Sequence, residues 1–201
     1  MYLKREREFQ YHPGIEKIIE DVTGGGTISR ADFANCIFAG VPLGKLPPLV
    51  VVVKGSDGIY HAIKTAKVSE DAAAAATAYK VGKNHLFAVG DAVTVGGGFA
   101  NASDVVSAID KSDAGYDVIT VAGTVGAAVA GAVLVQALAK ANAGSAKPKH
   151  SGELVITMDK VGLTVANQLS GLLVRGTVNE SVMPFPIDAG LKAKMPYIRF
   201  V

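Results

Sequence analysis

The stretch that decides the fold runs from Tyr79 to Val95 and reads Tyr-Lys-Val-Gly-Lys-Asn-His-Leu-Phe-Ala-Val-Gly-Asp-Ala-Val-Thr-Val. Short β-type segments alternate in it with turn residues at Gly82 and at Gly90-Asp91. Such close punctuation favours short paired strands and leaves no helix long enough for a nucleotide-binding site. The stretch therefore predicts a small all-β module, although it predicts no chemistry.

The same alternation of apolar runs and turn signals continues on both sides of this stretch. Residues 49–54 predict a strand whose hairpin partner follows over residues 59–67, and residues 105–110 and 118–121 predict a second hairpin. We therefore expect a mainly β fold with little helix: a compact barrel- or sandwich-like body of short antiparallel strands over residues 49–201, with an exposed loop at about 140–152. Further strands are expected at residues 79–81, 86–89, 92–95, 132–136, 153–158, 172–178 and 197–201.

Residues 1–48 differ from this body because glycines and prolines interrupt every apolar run. We expect an irregular N-terminal arm with short helical patches, one over residues 15–22 and one over residues 27–38. Ordering such a segment costs on the order of 1 kcal/mol of backbone entropy per residue, so we expect the arm to order against a partner. The candidate docking residues are its large apolar side chains: Ile15, Ile18, Ile19, Phe33, Ile37 and Phe38.

Charge and cysteine content narrow the possible partners and compartment. The net charge of +2 predicts no general attraction to nucleic acid. The single cysteine, Cys36, excludes an internal disulfide and fits folding in a reducing cytoplasm. Residues 118–139 carry no charge and could span a bilayer by length, but their glycines favour a buried strand–turn–strand instead, so no membrane partner is expected.

No catalytic or metal-binding motif is found in the sequence. The four histidines, His12, His61, His85 and His150, are far apart and lack the spacing of metal ligands. The segment Gly40-Val-Pro-Leu-Gly-Lys-Leu has too few residues between its glycines for a phosphate-binding loop. We therefore expect no catalytic residues, no cofactor and no metal.

Three blocks of sequence resemble the auxiliary head proteins of tailed phages, the capsid decoration and head-fibre-like proteins that also occur in prophages of gut bacteria. The blocks are residues 79–93, residues 116–121 with Leu134-Val-Gln, and Leu173-Val-Arg-Gly-Thr-Val-Asn-Glu-Ser-Val-Met-Pro. The match covers roughly residues 77–183 and leaves out the arm. The resemblance implies a non-enzymatic virion protein, made in the bacterial host cytoplasm, that binds the major capsid protein on the capsid surface and forms a homo-oligomer. A trimer is favoured because capsid lattices offer three-fold positions.

Two other functions remain open from the residues alone. The first is a tail or baseplate component that recognises a host-surface receptor, against which stands the absence of tryptophan for sugar stacking. The second, ranked last, is a small hydrolase that uses scattered carboxylates. No carboxylate pair is placed by a motif.

Overall fold

The computed structural model of the chain describes residues 14–33, 37–38, 41–42, 45–162 and 166–201. Within these residues the fold is mainly β with little helix, as the sequence predicted. Two large sheets, one of eight strands and one of six, hold most of the strands.

The eight-stranded sheet combines strands from the beginning, the middle and the end of the chain. One of its two longest strands, β17 (Leu172–Val178), pairs with β1 along one edge, and with β14 and then β18 along the other. The sheet continues from β14 through β6, β7 and β2 to β16. The bounds of these strands are β1 (Ile15–Asp21), β2 (Gly26–Ile28), β6 (Val51–Lys54), β7 (Tyr60–Ala62), β14 (Leu154–Thr157), β16 (Gln168–Ser170) and β18 (Ile198–Phe200).

The six-stranded sheet curls around a core of its own. Its two edge strands meet at a bridge between Val68 and Val81, where the Ser69 amide donates to the Lys80 carbonyl. Tyr79, Ile119 and Leu134 are fully buried inside the curl. In sheet order the strands are β8 (Thr65–Lys67), β13 (Val133–Ala137), β10 (Ala92–Val95), β11 (Ser103–Asp110), β12 (Tyr116–Val121) and β9 (Ala78–Gly82).

The loop over residues 83–91 ties the sheets together. Leu86 packs into a core cluster with Val50 and Val52 on one side of the eight-stranded sheet, whereas Phe87 packs into the core of the six-stranded sheet. A third cluster, which includes Val51, Val53 and Val135, fills the space between the sheets. Alternation along β6 thus buries both faces of that strand, which explains its unbroken run of valines.

The remaining elements are short. Strands β3 (Ile37–Phe38) and β4 (Val41–Pro42) pair with each other, as do β5 (Lys45–Leu46) and β15 (Val161–Gly162). In the described part of the chain, the helical elements are 3-10 turns at Ala31–Phe33 and Glu180–Val182 and one helix, α1 (Ala189–Lys192). The expected loop near 140–152 is mostly exposed, and bridges from Ser103 to Ala141 and from Ala137 to Pro148 hold it on the second sheet.

The predicted helical patch over residues 15–22 is wrong, and in the patch over residues 27–38 the only helical structure of the described residues is one 3-10 turn. Residues 15–21 form β1, whose backbone groups bond to β17 within the same chain. Gly176 makes this close pairing possible, because a Cβ at that position would clash with the Lys17 carbonyl oxygen. Residues 27–38 contain β2, one 3-10 turn and β3, while residues 34–36 lie outside the described part.

Local hairpins were predicted better than the connections between them. The hairpins β6–β7 and β11–β12 form as expected. However, β7 ends at Ala62 and the chain crosses to the second sheet, and residues 86–89 are a loop instead of a strand, buried at Leu86 and Phe87 and exposed at Val89. Residues 118–139 contribute to β12 and β13, but these strands are separated by β10 and β11 instead of forming a hairpin. Among the described residues, no helix has the length and apolar character needed to cross a membrane.

Candidate interaction surface

The residues predicted to dock a partner lie in different environments. Ile15 and Phe33 are buried in cores of the chain itself, and Ile18 is half-buried beside the same core as Ile15. Ile19 is 52% exposed. The side chains of Ile37 and Phe38 lie outside the described part of the chain. The expectation that this segment needs a partner to become ordered is therefore wrong for residues 14–33, whereas a docking role for the exposed Ile19 stays a prediction.

The outer edge of β1 is poorly suited to adding another strand. Three register shifts interrupt its pairing with β17, and such bulges twist an edge away from a regular ladder. Its exposed residues include Glu16, Lys17, Glu20 and Asp21. Charged side chains on an edge disfavour pairing with a further strand, because charges would have to be buried.

Two grooves on the surface are lined in part by exposed valines, Val201 in the first and Val129 in the second. The first has a volume of about 560 Å³ and is lined by apolar residues of the segment that precedes α1, by Val133 of β13 and Val201, and by the polar residues Lys67, Glu180 and Ser181. The second, of about 630 Å³, is lined mainly by alanines and valines at one end of the six-stranded sheet. The two grooves share one segment of the chain, because Gly131 and Val133 line the first and Ala132 lines the second. We call the surface along these grooves the apolar face; it includes the lining residues Val129, Val133, Met183, Ile187 and Val201, and also Val182, whose neighbours Ser181 and Met183 line the first groove.

Local sequence explains why the apolar face stays open. Pro184 and Pro186 lack the backbone donors that a central strand needs, so the chain after β17 leaves the sheet. Asn179 caps the 3-10 turn by accepting a hydrogen bond from the Ser181 amide at 3.0 Å. This turn leaves Val182 47% exposed, and the Glu180 amide at the start of the turn donates to the carbonyl of Val201, which is 46% exposed. In the second groove, Val129 is 68% exposed.

The charges at the rim of the apolar face are few and partly neutralised. Glu180 forms an ion pair with Lys192. Lys67 lines the first groove and has no carboxylate within salt-bridge distance in the described part of the chain. A nearly neutral apolar surface with a polar rim is the composition found at the centre of protein interfaces.

The structure also brings together a histidine cluster that the sequence search missed. His61 Nδ1 lies 3.0 Å from Asp32 Oδ2, and its Nε2 lies 3.1 Å from Asp57 Oδ2. The ring of His150 stacks on that of His61 with centroids 4.3 Å apart. The Asp57–His61 spacing of four residues was a visible signal, but Asp32 and His150 reach the site only through the fold. Because both nitrogens of His61 are engaged by carboxylates, neither is open to a substrate.

A second histidine, His85, is sealed inside the protein. Its side chain is 1% exposed, and its Nε2 lies 3.2 Å from Asp117 Oδ2 without the alignment of a hydrogen bond. Asp117 is held more closely by Lys83, whose Nζ lies 2.6 Å from Oδ1. Burial lowers the pKa of His85 to about 4, although the neighbouring Asp117 charge opposes the shift. The imidazole is therefore neutral at neutral pH and has no access to solvent.

No set of three or more His, Cys, Asp or Glu side chains in the described residues is arranged to hold a metal ion. Comparison with known proteins adds no identity: no protein-family model, no curated protein and no solved structure matches the chain. The resemblance of the three sequence blocks and the geometry of the surface are thus the grounds for a functional proposal.

Proposed function

We propose that this chain is a non-enzymatic structural virion protein, which binds the major capsid protein on the head of a tailed phage and associates with copies of itself. The observation that carries the proposal is the apolar face. The resemblance to auxiliary head proteins supports the major capsid protein as the partner. The apolar face provides a surface through which that partner can bind.

The energetic argument rests on the exposed valines and the two grooves that they border. Fully burying a Val side chain contributes about 1.5 kcal/mol or more. Val129, Val182 and Val201 each keep roughly half or more of their surface exposed. A partner that fills the grooves removes this surface from water without breaking any ion pair of the core. Contact through the face therefore stabilises a complex while the free chain stays folded.

Association of several copies strengthens such a contact. Copies that are held together on a three-fold position of the lattice bind as one unit, because the first contact raises the effective concentration of the others. We propose a trimer for this reason. Light scattering coupled to size-exclusion chromatography measures the mass directly, and a monomer at all protein concentrations would contradict self-association in solution.

The test of function is the position of the protein on phage particles. Particles are induced from the bacterium that carries the gene and are labelled with gold-conjugated antibody against the purified chain. We expect gold on the heads. Gold confined to the tail tip would favour the receptor-binding role instead, and particles without label would refute a virion location. A strain with the gene deleted provides the control for antibody specificity.

A further inference from the structure

A cavity separate from the apolar face lies under the loop that contains His150. Its volume is about 180 Å³, and it opens between that loop, β13, β14 and α1. Its apolar walls are formed by Ile63, Phe99, Leu154 and Leu191, each less than a tenth exposed. An engineered apolar cavity of about 150 Å³ is known to bind benzene, so this cavity has room for a group about the size of one aromatic ring.

One cation lies at this cavity without a carboxylate partner. Lys194 lines it, and its Nζ lies 4.3 Å from the centroid of the Phe99 ring. No carboxylate of the described residues lies within salt-bridge distance of this ammonium group. Partial burial lowers the pKa of Lys194, whereas the charge of Asp188 opposes the shift. Lys194 itself is exposed, so an anion can reach its ammonium group from solvent.

Two acidic side chains close to the lining residues, Asp188 and Asp91, are engaged elsewhere. Asp188 accepts hydrogen bonds from the Gly97 amide at 2.7 Å and the Leu191 amide at 2.9 Å. Asp91 accepts a hydrogen bond from the side-chain amide of Gln136 and forms an ion pair with Lys64. These interactions hold both carboxylates in place, so neither is free to form an ion pair with Lys194.

A second polar group on the rim is held in place by the histidine cluster. His150 lines the cavity and makes no hydrogen bond to the described residues. Its ring is oriented by stacking on His61, which Asp32 and Asp57 anchor from both sides. The rim thus presents an ammonium group and an oriented imidazole above apolar walls.

We propose that this cavity binds a small carboxylic acid with a compact apolar body, which fills the space between Phe99 and Leu191 while the carboxylate lies at Lys194. A single aromatic ring matches the volume, and the carboxylate matches the unpaired cation. The His150 imidazole offers a hydrogen bond to the second carboxylate oxygen. This site is independent of the apolar face and of the proposed attachment to capsids.

The experiment uses the full chain labelled with ¹⁵N and three probes that separate charge from shape. Phenylacetate carries both features, phenylethylamine keeps the ring with a positive charge, and acetate keeps the carboxylate without the ring. We expect saturable amide shifts at Gly152, Phe99 and Leu191 with phenylacetate, and binding weaker by about tenfold or more with either of the other probes.

Two variants assign the charge effect. Lys194→Met keeps the length of the side chain and removes the cation, and we expect it to weaken phenylacetate binding about fivefold while leaving phenylethylamine binding no weaker. Lys17→Met makes the same change at an exposed lysine on β1 and should have no effect. Absence of saturable shifts with phenylacetate, equal binding of phenylethylamine, or equal effects of the two substitutions would overturn the proposal.

Discussion

Strand β1, which pairs with β17, and the segment that follows β17 in the chain differ in the side chains that they expose to solvent. On one side β1 presents charged side chains and an interrupted ladder, whereas on the other side the chain after β17 presents Val182 and Val201 beside an open groove. Sequence alone favoured the first segment as the docking element, because its isoleucines are conspicuous. Ile19 on β1 is as exposed as these valines, so the difference teaches that exposure alone does not make a docking surface: the charges and the interrupted ladder around Ile19 disfavour a partner, whereas the groove beside Val201 provides space for one.

The largest expected effect tests whether the N-terminal segment belongs to the core. Phe33→Ala removes a side chain that is 4% exposed, and we expect it to lower the free energy of unfolding by about 4 kcal/mol, from lost burial and the cavity left behind. Urea denaturation measures this change. Ile19→Ala, on the same segment but half exposed, should change stability by about 0.5 kcal/mol or less. Similar, small effects of both substitutions would show that Phe33 is not a core residue.

A second prediction concerns His85, which lies in the loop over residues 83–91 that packs into the cores of both sheets. The pKa of His85 is about 4 in the folded chain and 6.5 as the ordinary value, so between these values the unfolded chain binds a proton that the folded chain does not. Stability should therefore fall by about 3 kcal/mol as pH decreases from 6.5 to 4 through this residue.

Denaturation curves at several pH values, with the slope assigned by variants, measure this effect. His85→Gln removes the titrating group, and its stability should depend less on pH over that range than that of the unaltered chain. His150→Gln serves as the control for a half-buried histidine. A pKa of His85 near 6.5, followed by NMR, would contradict the account of the sealed imidazole.

The next effect is smaller and tests the pairing of β1 with β17. Gly176→Ala places a Cβ against the Lys17 carbonyl oxygen, so the two strands must separate locally. We expect a loss of about 2 kcal/mol and faster hydrogen exchange of the β1 amides. Gly82→Ala is the matched control in a strand, because its nearest neighbouring atom is 3.9 Å from the new Cβ. Unchanged exchange in β1 would mean that the contact is looser than described.

Local patterns predicted much of the fold, and long-range pairing accounts for most of what they missed. The hairpin across Gly55–Gly58 and the strand over residues 172–178 each carry their signal in adjacent residues. The isoleucines of residues 15–19 fit a helical period, but the edge of β17, more than 150 residues later, supplies hydrogen bonds that favour a strand. No residue close to β1 in the sequence indicates that β17 is its partner.

The same limit applies to the surface and the ionisable groups. Asp32 lies beside His61 because the first sheet brings their segments together. His150 stacks on His61 from a loop that comes much later in the sequence. Val182 could be predicted to lie outside a central strand from Pro184 and Pro186, but not to lie beside a groove, because the groove's other wall comes from β13. Composition and spacing do not predict which residues from distant parts of the sequence come into contact.

The smallest expected effect on stability separates folding from docking. Val182→Asp and Val89→Asp both place a charge at an exposed valine, and each should change the free energy of unfolding by about 0.5 kcal/mol or less. Only Val182 belongs to the apolar face. Thermal melts of the two variants verify that any difference in function does not arise from unfolding.

The most direct test of the central claim is the amount of each tagged variant on purified phage particles. Val182→Asp, Ile19→Asp and Val89→Asp are expressed in the strain that lacks the gene, and particle-bound protein is quantified by immunoblot against the major capsid protein. The account predicts that Val182→Asp lowers occupancy by about tenfold, because a charge buried in the contact costs more than 1.4 kcal/mol, while the other two variants decorate normally. Full occupancy by Val182→Asp together with loss of Ile19→Asp would contradict it and place docking on the β1 edge.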